Sequence, residues 1–205
     1  MSQSLDAFRN AFKIPELKQR ILFTLLFVGV YRLGAHVPTP GIDGSTLAAA
    51  MQKSGQSALG FYDMFTGGAF QQATLFALGI MPYISASIII QLLATVVPAL
   101  EKLQREGSEG QKRITEYTRY GTIGLAVLQS VGIALYLQTL SESQGSAGGF
   151  VANPGPMFIF MCVISFTTGT AFIMWLGEQI SEYGIGNGMS LLIFCLLYTS
   201  PSPRD

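Results

Sequence analysis

Charge is scarce in this chain: of 205 residues, only 12% are Asp, Glu, Lys or Arg. A soluble domain carries about 25%, so the composition excludes an ordinary water-exposed surface and implies a membrane protein. Histidine occurs once, at His36, with no serine signature near it, so an intramembrane serine nucleophile has no activating base in reach. The two cysteines, Cys162 and Cys195, stand in no metal-ligand spacing and imply no disulfide framework. Twelve acidic residues balance twelve basic ones, so the overall charge points to no nucleic-acid partner. A phosphate-binding loop is also missing. Gly184 to Gly188, "GIGNG", follows an apolar run and a short loop rather than a strand. It reads as a flexible turn and a close-packing helix start.

The interiors of the apolar runs are emptier still. They hold no Asp, Glu, Lys or His; Arg32 lies near the end of one run and Glu178 just past another. Ionisable groups inside the membrane mark proton and ion routes, so a coupled transporter is disfavoured. No cofactor, no metal and no enzymatic activity are expected. A secondary solute transporter with broken helices is the competing class. A non-conducting assembly subunit is a third.

What the chain does have is long apolar runs. Four of them approach or reach the roughly 20 residues that cross a bilayer: 21–37, 73–97, 120–140 and 157–176, with a fifth beginning at 189. The first run ends in "GAHVPTP", without a cleavage signal, so no removable leader is expected. Basic residues orient the spans. Arg9, Lys13, Lys18 and Arg20 precede the first, and Lys102, Arg105, Lys112, Arg113 and Arg119 lie between the second and third. Segment 38–72 holds only Lys53, and 141–156 holds no Lys or Arg. The N-terminus and the 98–119 loop are therefore expected in the cytoplasm. That basic loop is either a topology anchor or a docking surface for a cytosolic partner. Leu5, Phe8 and Phe12 fall at helical spacing, so 1–20 is expected to include an amphipathic helix on the inner surface. Pro15 then turns the chain into the first span.

Two stretches ask for more than a plain span. Residues 57–72, "SALGFYDMFTGGAFQQ", are too short to cross. They are either an external loop packed by its aromatics or a re-entrant half-helix hinged at Gly67 and Gly68. Irregular backbone is allowed at membrane depth only where protein or a water-filled cavity surrounds it. In "GIMPYISASIIIQ", Pro82 removes a backbone donor and is expected to kink the helix over 73–97. Ile80, Ile84 and Ile88 make one stripe of that helix, and Ser85, Gln91 and Thr95 a partly polar side. Such a helix suits a place beside a pore or a gap between helices.

The stretches "HVPTPGID", "MFTGGAF", "ALGIMPYISASIIIQLL", "EGQKRITEYTRYGT" and "MWLGEQISEYGIGNGMS", in this order and spacing, resemble the SecY family of protein-translocation channel subunits. The resemblance covers roughly Leu17 to Phe194. It implies an all-α, polytopic helix bundle, the N-terminal half of a clamshell around an hourglass pore. By that resemblance Ile80, Ile84 and Ile193 match pore-ring isoleucines. Phe61, Met64, Phe65, Gly67, Gly68 and Phe70 look like the plug, a re-entrant helix closing the outer funnel. The 73–97 helix, with Ser85, Ser87 and Gln91 on it, looks like one wall of a lateral gate through which signal sequences and membrane helices reach lipid. The partners implied are SecE and SecG, the ATPase SecA or a translating ribosome, signal sequences of passing polypeptides, and membrane lipids. The place implied is a bacterial plasma membrane.

One stretch departs from the family. A fifth span should stay apolar well past Leu197, yet "YTSPSPRD" follows. One back-translation of "CLLYTSPSPRD", residues 195–205, reads as a transposase adapter used in preparing sequencing libraries. These residues are therefore expected to be translated adapter, with the natural chain continuing in their place.

Overall fold

The computed structural model describes residues 15–47, 73–143, 151 and 155–199. The part of the expected amphipathic segment up to residue 14, the expected plug at 57–72 and the tail beyond residue 199 lie outside them. Helices carry nearly all of the described chain: α1 (Pro15–Gly34), α2 (Met81–Val96), α3 (Pro98–Arg105), α4 (Ser108–Ser143), α5 (Pro156–Tyr183) and α6 (Gly188–Thr199). Only two isolated bridges, Pro38 with Thr74 and Ile42 with Val151, have β character among the described residues. The fold is an all-α helix bundle.

Prolines stand in the first turn of three helices, α2, α3 and α5. There a missing amide hydrogen has no helical partner to lose. Pro82 is the case in α2. It was expected to kink a helix running from Ala73, but that helix begins only at Met81, with Ile80 as its cap residue and Pro82 in the first turn. The ring therefore obstructs no hydrogen bond, and the first bond of the ladder forms from Ile84 N–H to the Ile80 carbonyl at 3.1 Å. Pro98 opens α3 and bends the chain by 100° from α2. A proline disfavours helical backbone at the residue before it, and Val97 is accordingly extended, with ψ of 114°.

Lengths and charges then sort the helices. α4 has 36 residues, or about 54 Å at 1.5 Å per residue, well beyond the roughly 30 Å of hydrocarbon. The expected basic loop 98–119 is thus α3 and the first turns of α4. Among the described residues, α4 and α5 are each long and apolar enough to cross a membrane, and α2 with α3 counts as a third if the bent pair is one span. α1 falls short of that standard because Glu16, Lys18, Arg20 and Arg32 lie within its 20 residues.

Residues 73–80 were expected to be helical and are instead a run of turns. Gly79 takes a φ of 57°, in the left-handed region. The run is fully packed: Ala73, Phe76, Ala77, Leu78 and Ile80 are all buried. Ala73, Ala77 and Leu78 share a core with Ala126, Ala134 and Leu137 of α4 and with Phe158, Cys162 and Phe166 of α5. That is the depth of the apolar stretch 120–140. The exposed polar backbone such a segment would otherwise offer to lipid is satisfied locally. Thr39 N–H donates to the Ala73 carbonyl at 2.8 Å, Leu75 N–H to Val37 at 3.1 Å, and Gly79 N–H to Phe76 at 2.8 Å.

Between α1 and this run, Asp43 precedes helical backbone at residues 44–47. Its carboxylate accepts from Ser45 N–H at 3.0 Å and from the Ser45 hydroxyl at 2.7 Å. Those donors hold the Asp43 carboxyl below its ordinary range, favouring the ionised form. The segment carries Ile42 and Leu47 into the same core as Val151.

Candidate functional site

A second apolar core sits where α1, the 73–80 run, α2, α5 and α6 meet. Its buried members are Tyr31, Phe76, Ile80, Ile173, Leu176, Ile180, Met189 and Leu192, and Ile84 and Ile193 pack against them half-buried. Ile80, Ile84 and Ile193, three residues from two distant parts of the chain, thus lie in or against one apolar cluster, called the collar below. Ile80 is 3% exposed, whereas Ile88, the next member of the expected stripe, is 51% exposed. The collar therefore occupies the first turn of α2 and no more.

The rest of α2 does not divide into an aliphatic and a polar side. Ile88, Ile89, Gln91, Leu92, Leu93, Thr95 and Val96 are all exposed, and Ala94 is buried. Gln91 donates through Nε2 to the Ser87 hydroxyl at 3.2 Å, one turn away on the exposed face. Ser85 and Ser87 are half-buried. None of the three belongs to the collar. The six residues assigned to the plug, Phe61, Met64, Phe65, Gly67, Gly68 and Phe70, lie outside the described residues.

Aromatic rings line one side of the collar. Phe23 stacks on Phe27 at 4.3 Å between centroids, Tyr31 on Phe76 at 5.4 Å, and Phe76 on Phe172 at 6.0 Å. Trp175 lies 6.0 Å from Phe27 and 5.9 Å from Phe172. This ladder was missed from sequence, although Phe23, Phe27 and Tyr31 stand at i, i+4 and i+8 and so share a helix face. Such ring pairs add about 0.5–1.5 kcal/mol each beyond their burial, and here they fix α1 against α5.

The "GIGNG" turn holds α6 in register. Arg20 donates through Nη1 to the Gly184 carbonyl at 3.3 Å, and Ile185 N–H donates to the Thr24 hydroxyl oxygen at 3.3 Å. Asn187 caps α6 by accepting from Met189 N–H at 3.1 Å. Ser181 donates to the Gly177 carbonyl at 2.9 Å and accepts from Gly188 N–H at 2.8 Å. A Cβ on Gly177 would collide with the Met189 sulfur, and one on Gly188 would collide with the Gly177 carbonyl. The turn and the helix start therefore require glycine through close approach, and the start of α6 is drawn tightly onto α5.

The stretch from 73 onward, which carries most of this site, decides the family. The SecY family profile matches residues 74–200. The chain belongs to the SecY family. It is 51% identical over 181 residues to the protein translocase subunit SecY of Escherichia coli K12, covering 88% of this chain and 40% of that protein. It is 47% identical over 190 residues to the Thermus thermophilus subunit of the same name, covering 93% and 43%. The Buchnera aphidicola subunit is 51% identical, with 50% of its length covered. This SecY-family chain thus spans about half, or less, of the curated relatives it matches. Among solved structures it resembles "The structure of a protein conducting channel", with a TM-score of 0.61 at 20% identity, covering 87% of this chain and 35% of that one. It also resembles Sec61 in the canine ribosome-channel complex from the endoplasmic reticulum, with the same TM-score and identity, covering 87% and 36%. At that identity the likeness establishes the fold.

Within the SecY-family site, Ser181 is the most exposed to test. Ser181→Ala leaves Gly188 N–H without its acceptor, a loss of about 1–2 kcal/mol. The thermal midpoint of the complete channel in detergent should fall accordingly, with Ser181→Thr, which keeps the hydroxyl, falling less.

Proposed function

We propose that this chain forms the N-terminal half of the pore-forming subunit of a protein-conducting channel. The channel passes unfolded polypeptides across the membrane and releases membrane helices sideways into lipid. The collar of Ile80, Ile84 and Ile193 carries this reading, together with family membership. A conduit for many sequences must bind each of them weakly. Aliphatic side chains offer no hydrogen bonds to a passing chain, deform around it, and exclude water and ions when they close. A solute transporter instead needs fixed polar or charged groups at its binding site, and the collar offers isoleucines.

The other assignments follow from the same reading. Residues 57–72 supply the plug. α2, with Ser85, Ser87 and Gln91 on it, forms one wall of the lateral gate. The basic residues of α3 and early α4 face the cytoplasm, as does the N-terminus, and the membrane is the bacterial plasma membrane. The chain is no enzyme; SecA or a translating ribosome drives transport, and SecE and SecG complete the channel.

A chimera tests this directly. Residues 17–194 replace the matching part of the Escherichia coli relative, and the cell's own channel subunit is depleted. Growth and export of a secreted protein are expected to continue. A chimera that accumulates in the membrane and exports nothing would overturn the proposal.

A further inference from the structure

Basic residues in short loops orient membrane spans, and α5 has none at either end. Segment 141–156 before it and segment 177–188 after it hold no Lys or Arg, and the second holds Glu178 and Glu182. Packing supplies what the second segment lacks. Arg119 of α4 donates through Nε to Glu178 Oε1 at 2.6 Å, with Arg119 47% exposed and Glu178 18%. Arg20 of α1 donates through Nη1 to the Gly184 carbonyl at 3.3 Å. One turn along α1, the Thr24 hydroxyl oxygen accepts from Ile185 N–H at 3.3 Å. Two guanidiniums, from two other helices, therefore rest on one segment that has no cation of its own.

The origin of the two arginines is the decisive point. Arg20 closes the basic run of Arg9, Lys13, Lys18 and Arg20 ahead of the first apolar stretch. Arg119 closes the run of Lys102, Arg105, Lys112, Arg113 and Arg119 ahead of the third. Those are the two segments that the channel reading above places in the cytoplasm. Both arginines precede their targets, by 164 and 59 positions, so both are already synthesised when the 177–188 segment emerges. Resting on that reading, we propose that Arg20 and Arg119 are positioning residues for the topology of α5. They catch the 177–188 segment on the cytoplasmic side and so orient a helix that carries no orienting charge. A partly exposed ion pair is weak. A weak bias is enough where the two orientations of a span compete with no local basic residue to separate them.

The test reads the side on which this segment lies in the complete chimera, made in cells that keep their own channel. The other cysteines are replaced by alanine, and Ile185→Cys, at a position 39% exposed, reports to a membrane-impermeant maleimide during a short pulse of synthesis. In the parent the reporter is expected to react in inverted vesicles and hardly at all in intact cells. Arg20→Gln and Arg119→Gln are each expected to raise the share reacting in intact cells about fivefold, the factor that corresponds to about 1 kcal/mol, and the double variant to raise it further. Adding Glu182→Lys restores neither contact but gives the segment a cation of its own. It is expected to return the double variant to within about twofold of the parent. Chains destroyed before labelling are counted by their accumulation, which Glu182→Lys should likewise restore. A double variant that reacts and accumulates as the parent does overturns the proposal. So does one that Glu182→Lys fails to repair, since the contacts would then serve only the folded bundle. Both of these results leave the channel reading intact. A parent reporter that reacts in intact cells overturns the orientation in that reading as well.

Discussion

Ile80→Asp leaves almost no folded channel in the membrane, while Ile80→Leu accumulates to near the parent level: that is the expected result at the centre of the collar. Ile80 is 3% exposed and shares its core with Tyr31, Phe76, Ile173, Leu176 and Ile180. Leucine keeps the volume and the chemistry, and such exchanges cost under about 1.5 kcal/mol. Aspartate places a carboxylate in a cluster whose buried members carry one hydroxyl, that of Tyr31, itself buried with no hydrogen-bond partner. A single neutral donor does not replace the hydration of an ion. The remaining penalty is about 3–5 kcal/mol, the usual cost of an uncompensated buried charge. Set against a total stability of about 5–15 kcal/mol, that is enough to send most of the protein to degradation. Membrane abundance after a chase, and the thermal midpoint in detergent, both read the effect. An Ile80→Asp midpoint equal to the parent's would mean that water already fills the collar.

The bundle and the family were readable because they rest on local signals. Apolar runs, basic flanks and the spacing of "GIMPYISAS" and "GEQISEYGIGNG" lie along the chain and need no knowledge of packing. Ile80, matched by resemblance to a pore ring, is buried in one apolar cluster, and Ile84 and Ile193, matched likewise, pack against it. The error at 73–80 has a definite cause. "ATLFALGI" has the composition of a span, and nothing in periodicity separates a buried turn run from a buried helix. Pro82 was ambiguous for the same reason, since a proline can kink a helix or begin one, and the choice depends on whether the preceding residues are helical. Charge in α1 was visible, but Arg20 turned out to serve a purpose that spacing could not show, donating to Gly184, 164 positions away. Arg119 and Glu178 are 59 positions apart and could be joined only by the antiparallel packing of α4 and α5. Long-range polar contacts of this kind, and the glycines that let backbones touch, are properties of packing.

Gly169→Leu is expected to be as damaging as the charge at Ile80, by a purely steric route. Gly169 lies in α5 where a Cβ would overlap the carbonyl of Leu75 and press on the Phe76 ring. The obstacle is backbone, so a rotamer change cannot relieve it. Either α5 or the 73–80 run must move. That run hydrogen-bonds to Val37 and Thr39, stacks Phe76 on Tyr31, and leads straight into Ile80, so a shift propagates into the collar. Overpacking a tight core costs about 1–3 kcal/mol and more where backbone must yield, so a loss of at least about 3 kcal/mol is expected. Even Gly169→Ala meets the same carbonyl and should lose most of that. Gly132→Ala is the contrast: it lies within α4 with nothing within 4 Å of an added Cβ. Removing the backbone freedom of a glycine in mid-helix there stabilises by about 0.5–1 kcal/mol. Opposite signs at two helical glycines, read as thermal midpoints of the chimeric channel, would show that Gly169 is held by the turn run pressed against it. A Gly169→Ala midpoint matching that of Gly132→Ala would mean that the run at 73–80 does not rest on α5 in the assembled protein.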